Sequence, residues 1–339
     1  MFRLPTYIAL LTLICVSCSI NRNDHKYNSI QIGFDALSGL PMAASADTLL
    51  KVPVESDITV YYINGKICKV FFKKKDRNLK LEIWDCKGGR CLYEYGSEER
   101  MLMPFVTRSW DNIVIHDRIL LKTVVINIEE AVNNPGYTSV GKPSNIESSR
   151  IIPWKDRQVF LNGFSFLESV PRVCFSDKNW NYTENNHYKF NSSNVIHGEL
   201  ICKKDYSKIA YVPSNDNNIE ILDEKGRKKT VITFYHEKKQ DIAANDIDGI
   251  TFYAYRFPAV PCFSKASPGI DSFIAGYIDD NENNSIVIVD WEGNLLSGFK
   301  VNGAIKQLSY SEEENRIYSF EQIGDNYYLI VYFNPSNHD

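Results

Sequence analysis

Short apolar runs dominate the sequence, and they come in pairs that recur at nearly constant intervals. Runs of five to seven residues, rich in β-branched and aromatic residues, are separated by clusters of Asn, Asp, Gly and Lys, a pattern typical of strands joined by turns. One residue from each of the six pairs marks its position: Val70, Val114, Phe164, Ile209, Phe273 and Ile317. The steps between these markers are 44, 50, 45, 64 and 44 residues. Because one four-stranded propeller blade needs about 45 residues, the spacing predicts an all-β, six-bladed β-propeller of four-stranded antiparallel blades.

The turn after the second run of a pair is also repeated. In three pairs this run ends in Asp, then two residues, then Gly, starting at Asp85, Asp223 and Asp290. An Asp side chain hydrogen-bonds to its own downstream backbone, and Gly accepts a positive φ. Three copies in register with the repeat favour blades over a β-sandwich, whose strands would have no such period.

Composition agrees with this fold and excludes some functions. The 339 residues include 20 Tyr, 18 Phe and 5 Trp, which suit a pleated and half-buried surface. The formal net charge is −4, whereas a dedicated nucleic-acid binder carries a basic surplus. We therefore expect no nucleic-acid partner.

The N-terminus predicts export and a lipid anchor. Arg3 precedes an apolar stretch, residues 8–16, that is too short to span a bilayer and is typical of a signal peptide. Ser17 and Cys18 then resemble a bacterial lipobox, in which the chain is cut before the cysteine and the cysteine carries the lipid. Cys15 stands where Leu is usual, and the alternative is a plain signal peptide cut near Ser19.

We therefore divide the chain into a signal peptide (1–17), a lipidated Cys18 with its tether (18–28) and the propeller (29–339). A palmitoylated, multi-acyl anchor at Cys18 would hold the protein stably at a membrane, since stable anchoring needs more than one acyl chain. We expect the location to be the cell envelope, at the outer membrane.

The last two blades carry the clearest resemblance to a known family. Residues 286–293 (IVIVDWEG), 305–310 and 316–320 (RIYSF) resemble the repeat of the TolB-like six-bladed propeller lipoproteins of Bacteroidetes-type bacteria. The resemblance covers about residues 45–333 and implies a six-bladed propeller on a surface lipoprotein. It implies no reaction, because that family offers no catalytic motif to carry over.

Two features of the blades are expected from the pattern of runs. The last blade has three clear strands, so residues 29–34 (SIQIGF) are expected to supply its fourth strand and close the ring. The longest step contains an apolar, Pro-rich segment, residues 257–269, which is expected to form a loop on one face of the disc or to pack over a blade edge.

The cysteines and histidines offer few candidates for chemistry. Cys86 and Cys91 flank a four-residue turn and are either a disulfide across the hairpin or two unpaired thiols. No Cys or His spacing is typical of zinc, so we expect neither a metal nor a cofactor. His116 and His236 come at strand ends, where a surface or turn position is expected.

His197 and Glu199 form the candidate ligand-binding pair. They open the inner strand of the fourth blade two residues apart, hence on one face, and inner strands line a propeller's channel. The alternative is a pair that satisfies itself structurally. No hydrolase, metalloprotease, P-loop or dinucleotide-binding motif is found, so no catalytic residue is assigned.

These observations favour a non-catalytic propeller at the cell envelope that binds or scaffolds a protein or glycan partner. The rival hypothesis is a hydrolase or lyase that acts on a polysaccharide, with a site assembled from single residues on separate blades. A tight cluster of His197 and Glu199 with acidic or Arg residues would favour the enzyme, and a shallow aromatic face would favour binding.

Overall fold

The chain forms a ring of small β-sheets. A computed structural model describes residues 27–43, 47–54, 58–73, 75–76, 78–87, 89–96, 100–143, 146, 148, 150–161, 173–181, 197–238, 242–247, 250–255 and 259–335. Within these residues six antiparallel sheets form a six-bladed β-propeller, so the predicted all-β class and blade number are confirmed. The signal segment 1–17 and Cys18 lie outside the described residues.

The first half of the described chain contains an N-terminal segment and three blades. The N-terminal segment comprises β1 (Asn28–Ile32), α1 (Phe34–Ser38) and β2 (Asp47–Pro53). Blade one comprises β3 (Ile58–Ile63), β4 (Lys66–Lys73), β5 (Asn78–Asp85) and β6 (Cys91–Gly96). Blade two comprises β7 (Pro104–Ser109), β8 (Asn112–Asp117), β9 (Lys122–Asn127) and β10 (Val140–Pro143), with α2 (Ile128–Asn133) between its last two strands. The described strands of blade three are β11 (Ile151–Trp154), β12 (Arg157–Leu161) and β13 (Val173–Phe175).

The second half contains the other three blades and one separate hairpin. Blade four comprises β14 (Gly198–Cys202), β15 (Lys208–Pro213), β16 (Asn218–Asp223) and β17 (Lys228–Phe234). The hairpin comprises β18 (Ile242–Ile247) and β19 (Ile250–Tyr255). Blade five comprises β20 (Phe263–Pro268), β21 (Ser272–Ile278), β22 (Asn284–Asp290) and β23 (Leu295–Val301). Blade six comprises β24 (Ala304–Ser311), β25 (Arg316–Ile323) and β26 (Asn326–Phe333) together with β2.

The predicted closing strand is wrong, although the prediction that the N-terminal segment closes the ring holds. Antiparallel pairing joins β2 to β26 and completes blade six, whereas β1 pairs in parallel with β17 at the outer edge of blade four. Ile30 and Ile32 of β1 pack on the apolar cluster between blades four and five. Gly293 makes room there, since a Cβ at this position would lie 2.9 Å from the Ile30 side chain.

The N-terminal segment therefore follows the rim of three consecutive blades. After β1 covers blade four, Pro41 and Ala43 exchange backbone hydrogen bonds with Lys300 on the outermost strand of blade five. The chain then enters blade six as β2. Both described helices are short, and no helix in the described part of the chain has the length and apolarity needed to span a membrane.

The predicted loop at residues 257–269 is wrong for its second half, and residues 257 and 258 lie outside the described residues. Its second half is β20, the inner strand of blade five, which pairs with β21. The insertion that lengthens this step is instead the hairpin of β18 and β19, which pair with each other. The apolar residues that made the segment resemble a loop over the disc belong to a strand, since Phe263 and Ala266 are buried in the cluster between blades four and five.

The repeated turns are built as expected. The carboxylate of Asp290 accepts backbone N–H bonds from residues 292, 293 and 294, and that of Asp223 accepts them from residues 225 and 227. Gly293 and Gly226 have φ values of 104° and 75°, which glycine adopts without strain. Asp85 accepts a bond from the N–H of Lys87 in the same way, and Gly88 lies outside the described residues.

The core lies between neighbouring blades. Separate apolar clusters fill the junctions of blades one with two, three with four, four with five, five with six and six with one. Blades one, four, five and six therefore bury both of their faces, which is why their strands read as nearly continuous apolar runs. The inner edges of the blades converge on one axis, and the polar residues at these edges make up the candidate site.

Candidate functional site

Side chains from opposite blades meet at the centre of the disc. Arg108 on β7 of blade two donates a hydrogen bond from Nη1 to Oγ of Ser267 on β20 of blade five, at 3.2 Å. Blades two and five face each other across a ring of six, so this contact can form only at the axis. The inner strands of a propeller line its central channel, and Arg108 and Ser267 therefore lie in that channel.

Glu199 is the centre of a charged cluster in the same channel. Its Oε1 lies 3.1 Å from Nη2 of Arg150 and 2.6 Å from Nζ of Lys265. The Glu199 side chain is 11% exposed, and those of Arg150 and Lys265 are 19% and 25% exposed. Burial alone would raise the pKa of Glu199, but the charges and hydrogen bonds of Arg150 and Lys265 outweigh burial and lower it. The carboxylate is thus held ionised and tied to two cations.

Local backbone features bring these side chains together. Glu199 is the second residue of β14, and Arg150 immediately precedes β11, so both lie at the end of the channel where the inner strands begin. Lys265 lies at an irregularity of β20, where the pairing with β21 shifts register between Phe263 and Ala266. Bulges of this kind re-aim side chains and are frequent beside functional sites.

The other end of the channel holds an indole. Trp110 follows β7 with a φ of 50°, and its Nε1 donates to the carbonyl of Cys202, the last residue of β14, at 2.9 Å. Ser109 Oγ and Cys202 Sγ lie 3.8 Å apart beside it. These contacts join blades two and four past blade three, and Trp110 packs against the apolar cluster between blades three and four.

The predicted pair of His197 and Glu199 is separated in the structure. His197 is exposed just before β14, and its carbonyl accepts hydrogen bonds from the Tyr211 hydroxyl (3.2 Å) and the Ser214 N–H (2.8 Å). Within the described part of the chain, its imidazole has no hydrogen-bond or ion-pair partner. Glu199 is buried and pairs with cations instead. The structure thus brings Glu199, but not the His197 imidazole, into a cluster.

The other predicted positions lie outside the channel cluster. Cys86 and Cys91 are unbridged thiols: Cys86 packs in the junction of blades six and one, and Cys91 Sγ lies 3.5 Å from the Tyr93 carbonyl. Both cysteines are thiols in this structure, and a disulfide formed after export stays a prediction. His116 is buried, and its Nδ1 lies 2.8 Å from Thr123 Oγ1. His236 follows β17 as expected, but its side chain is only 1% exposed, and its Nδ1 lies 2.6 Å from Asp280 Oδ1.

Burial lowers the pKa of His116 to about 4, so this imidazole is neutral at pH 7. Among the residues that the structure describes, no group of three or more His, Cys, Asp or Glu side chains is placed to hold a metal ion.

Sequence reasoning missed the three cations of the channel. Arg108 is the single charged residue in a strand of apolar and hydroxyl-bearing residues. Arg150 precedes a strand, and Lys265 lay in a segment that was interpreted as a loop. One weak signal was present, because the channel is the main place where a single charged side chain on an inner strand can be accommodated. Nothing in the sequence shows that the three charges share one site.

Comparisons with known proteins assign neither a family nor a function to the chain. No family model matches the chain, and no curated protein matches it. One similar solved structure is a protein described as exported, from Bacteroides fragilis, at 11% identity and a TM-score of 0.46, covering 91% of this chain and 99% of that one. BamB from Moraxella catarrhalis has 11% identity and a TM-score of 0.39, covering 85% and 100%. U3-55K has 12% identity and a TM-score of 0.47, covering 86% and 100%. Likenesses at this level carry no argument about function.

Replacing Glu199 with Gln should destabilise the protein and make its melting temperature less dependent on pH in the acid range. The variant leaves Arg150 and Lys265 without their carboxylate. We expect this to lower the free energy of unfolding by about 3 kcal/mol, the lower end of the range for breaking a buried ion pair. Because the pKa of Glu199 is lowered by folding, its contribution is full above the ordinary Glu pKa of about 4.3 and is lost as pH falls through the lower folded value. Melting temperatures measured from pH 7 to pH 3 should therefore converge for the parent and Glu199→Gln.

The matched control is His197→Ala, which removes an exposed imidazole and should leave the melting curve unchanged. A constant difference between the parent and Glu199→Gln at all pH values would contradict the assignment of an ionised, salt-bridged Glu199.

Proposed function

We propose that this chain is a lipid-anchored protein of the bacterial cell envelope whose propeller binds a protein or glycan partner without catalysing a reaction. The anchor rests on the lipobox-like Ser17 and Cys18 after an apolar stretch. The resemblance of the last two blades to TolB-like propeller lipoproteins supports the same location, at the outer membrane. The binding role rests on the channel at the centre of the disc.

The position of β1 is compatible with a tether from Cys18. Residues 19–27 separate Cys18 from β1, which lies on the rim of blade four. A chain of nine residues spans at most about 30 Å. An anchor at Cys18 would therefore keep the rim of blade four close to the membrane surface and leave both faces of the disc open to partners.

The state of Glu199 is the observation that favours binding over catalysis. A general acid needs a raised pKa, whereas Arg150 and Lys265 lower the pKa of this carboxyl and occupy its Oε1. Glycoside hydrolysis uses two carboxyl groups about 5–9.5 Å apart, whereas the ion pairs of Glu199 with described residues are to the cations of Arg150 and Lys265. The His197 imidazole, which the rival enzyme hypothesis needs, lies outside the cluster.

Replacement of Cys18 with Ser should release the protein from membranes. The thiol is the atom that would carry the lipid, and a Ser hydroxyl is not acylated by the same route. Cell fractionation of the parent should give a membrane-bound protein, and the Cys18→Ser variant should move to the soluble fraction. Cys15→Ser is the matched control and should stay with the membrane. A Cys18→Ser variant that remains membrane-bound would rule out this anchor.

The full-length protein should retain a glycan or an envelope protein without altering it. We would incubate the parent with a panel of neutral and acidic polysaccharides and measure retention, new reducing ends and the ultraviolet absorbance of unsaturated products. Capture from envelope extracts, followed by identification of the retained protein, covers the other class of partner. We expect retention with no products.

Products that appear with the parent and vanish with Glu199→Gln or His197→Ala would establish the rival hydrolase or lyase. A folded parent that retains nothing in either assay would contradict the binding role itself.

A further inference from the structure

Among the described residues, the charged cluster of the channel holds more positive than negative charge. Arg108, Arg150 and Lys265 are contributed by blades two, three and five, and Glu199 by blade four. The described cluster therefore carries three cations and one carboxylate. An excess of positive charge inside a protein is costly unless a counter-ion or hydrogen bonds offset it. The contacts of Arg108 show where the excess lies.

The two hydrogen bonds of Arg108 go to neutral acceptors, and the charge of Asp111 acts on it from beyond ion-pair distance. Its Nε donates to the carbonyl of Trp110 at 3.2 Å, and its Nη1 donates to Ser267 Oγ at 3.2 Å. Among the described residues, no carboxylate oxygen lies within ion-pair distance of its guanidinium. Burial lowers the pKa of Arg108 to about 10, so the side chain is still charged at neutral pH. Two of its five N–H donors are used in these bonds, which leaves donors for a ligand.

Ser267 and Lys265 connect the Arg108 position to the Glu199 cluster. Both belong to β20, where Ser267 faces Arg108 and Lys265 faces Glu199. Because Lys265 and Ser267 are two positions apart on one strand, they are separated by about 7 Å along the channel. The Tyr61 hydroxyl, which donates to the Val106 carbonyl at 3.1 Å, lies close enough to Glu199, Arg150 and Arg108 for their charges to affect its pKa. The four charges thus share one stretch of channel.

The cluster is open to solvent from one side. Arg150 and Lys265 keep 19% and 25% of their side-chain surface exposed at the end where the inner strands begin. At the other end Trp110 reaches over to Cys202. A small ligand would therefore enter past Arg150 and Lys265 and meet Arg108 further in.

We propose that the central channel binds a carboxylate group between Arg108, Arg150 and Lys265, with Glu199 as the resident carboxylate that partly neutralises these cations. A planar carboxylate matches the donor geometry of guanidinium groups, and Arg150 with Lys265 already hold one such group. The charge of Glu199 disfavours a dianion such as phosphate more than a monoanion. This inference rests on the proposed binding function and names the chemistry of the ligand.

The test compares acids with neutral molecules of the same shape. Acetate and glucuronate are titrated into the full-length protein at constant ionic strength, with acetamide and glucose as their neutral counterparts and inorganic phosphate as the dianion. Calorimetry or thermal shift should detect both acids, should detect neither neutral molecule and should show weaker binding of phosphate. Acetate and glucuronate together separate a bare carboxylate from a sugar acid.

Variants then locate the site. Arg108→Gln and Lys265→Met should each weaken binding about tenfold or more, the size expected for a lost charge-assisted hydrogen bond. Glu199→Gln should bind acetate more tightly than the parent, and acetate should restore part of its lost melting temperature. Misfolding cannot produce this gain. Lys225→Met, which removes an exposed charge in the blade-four turn, should change nothing.

The absence of acid binding by the folded parent would overturn the inference, as would equal binding of acids and neutral molecules. Binding that Lys225→Met weakens as much as Lys265→Met would also overturn it, since the effect would then be general charge attraction. If carboxylates fail but a partner is still retained by the disc, the ligand chemistry is wrong and the binding function survives. Turnover of a polysaccharide by the parent would instead contradict the proposed non-catalytic binding function.

Discussion

The closure of the ring between β2 and β26 is the interaction on which the rest of the structure depends. Three strands of blade six come from the end of the described chain and the fourth comes from its beginning, so this pairing ties the two together. The junction with blade one is strengthened by Tyr62, which stacks on Tyr318 with ring centroids 3.4 Å apart and donates its N–H to Ser309 Oγ. The hydroxyls of both tyrosines donate to the carboxylate of Glu314. An open ring would leave edge strands unprotected and would not bring the inner strands to one axis.

Closure also explains why charge can be placed at the centre of a protein with an apolar core. The junctions between blades are filled by apolar side chains, so the inner edges of the blades are the place where polar groups can lie without breaking a cluster. Arg108, Arg150, Glu199 and Lys265 use that position. A rigid ring holds them at fixed distances, and preorganised charges of this kind bind a ligand without first reorganising the site. The proposed binding role therefore follows from the same constraint as the fold.

Local patterns in the sequence predicted the local features of the fold. The repeat of paired runs predicts the blades, and the Asp and Gly turns form as expected because their hydrogen bonds join residues two to four apart. The choice between β1 and β2 for closure could not be predicted, since both alternate apolar residues and the outcome depends on Ile30 fitting beside Gly293. The channel cluster could not be predicted either. Arg108 and Ser267 are 159 residues apart, and nothing in either strand indicates the other.

The location of bound anions in a crystal tests the central claim most directly. Crystals of the full-length protein can be soaked in bromide, which takes the place of an anion and is identified by its anomalous scattering. The account predicts an anomalous peak in the channel in contact with Arg108 and with Arg150 or Lys265, and the loss of that peak in Arg108→Gln. Bromide found at surface lysines while the channel shows no anomalous density would contradict it.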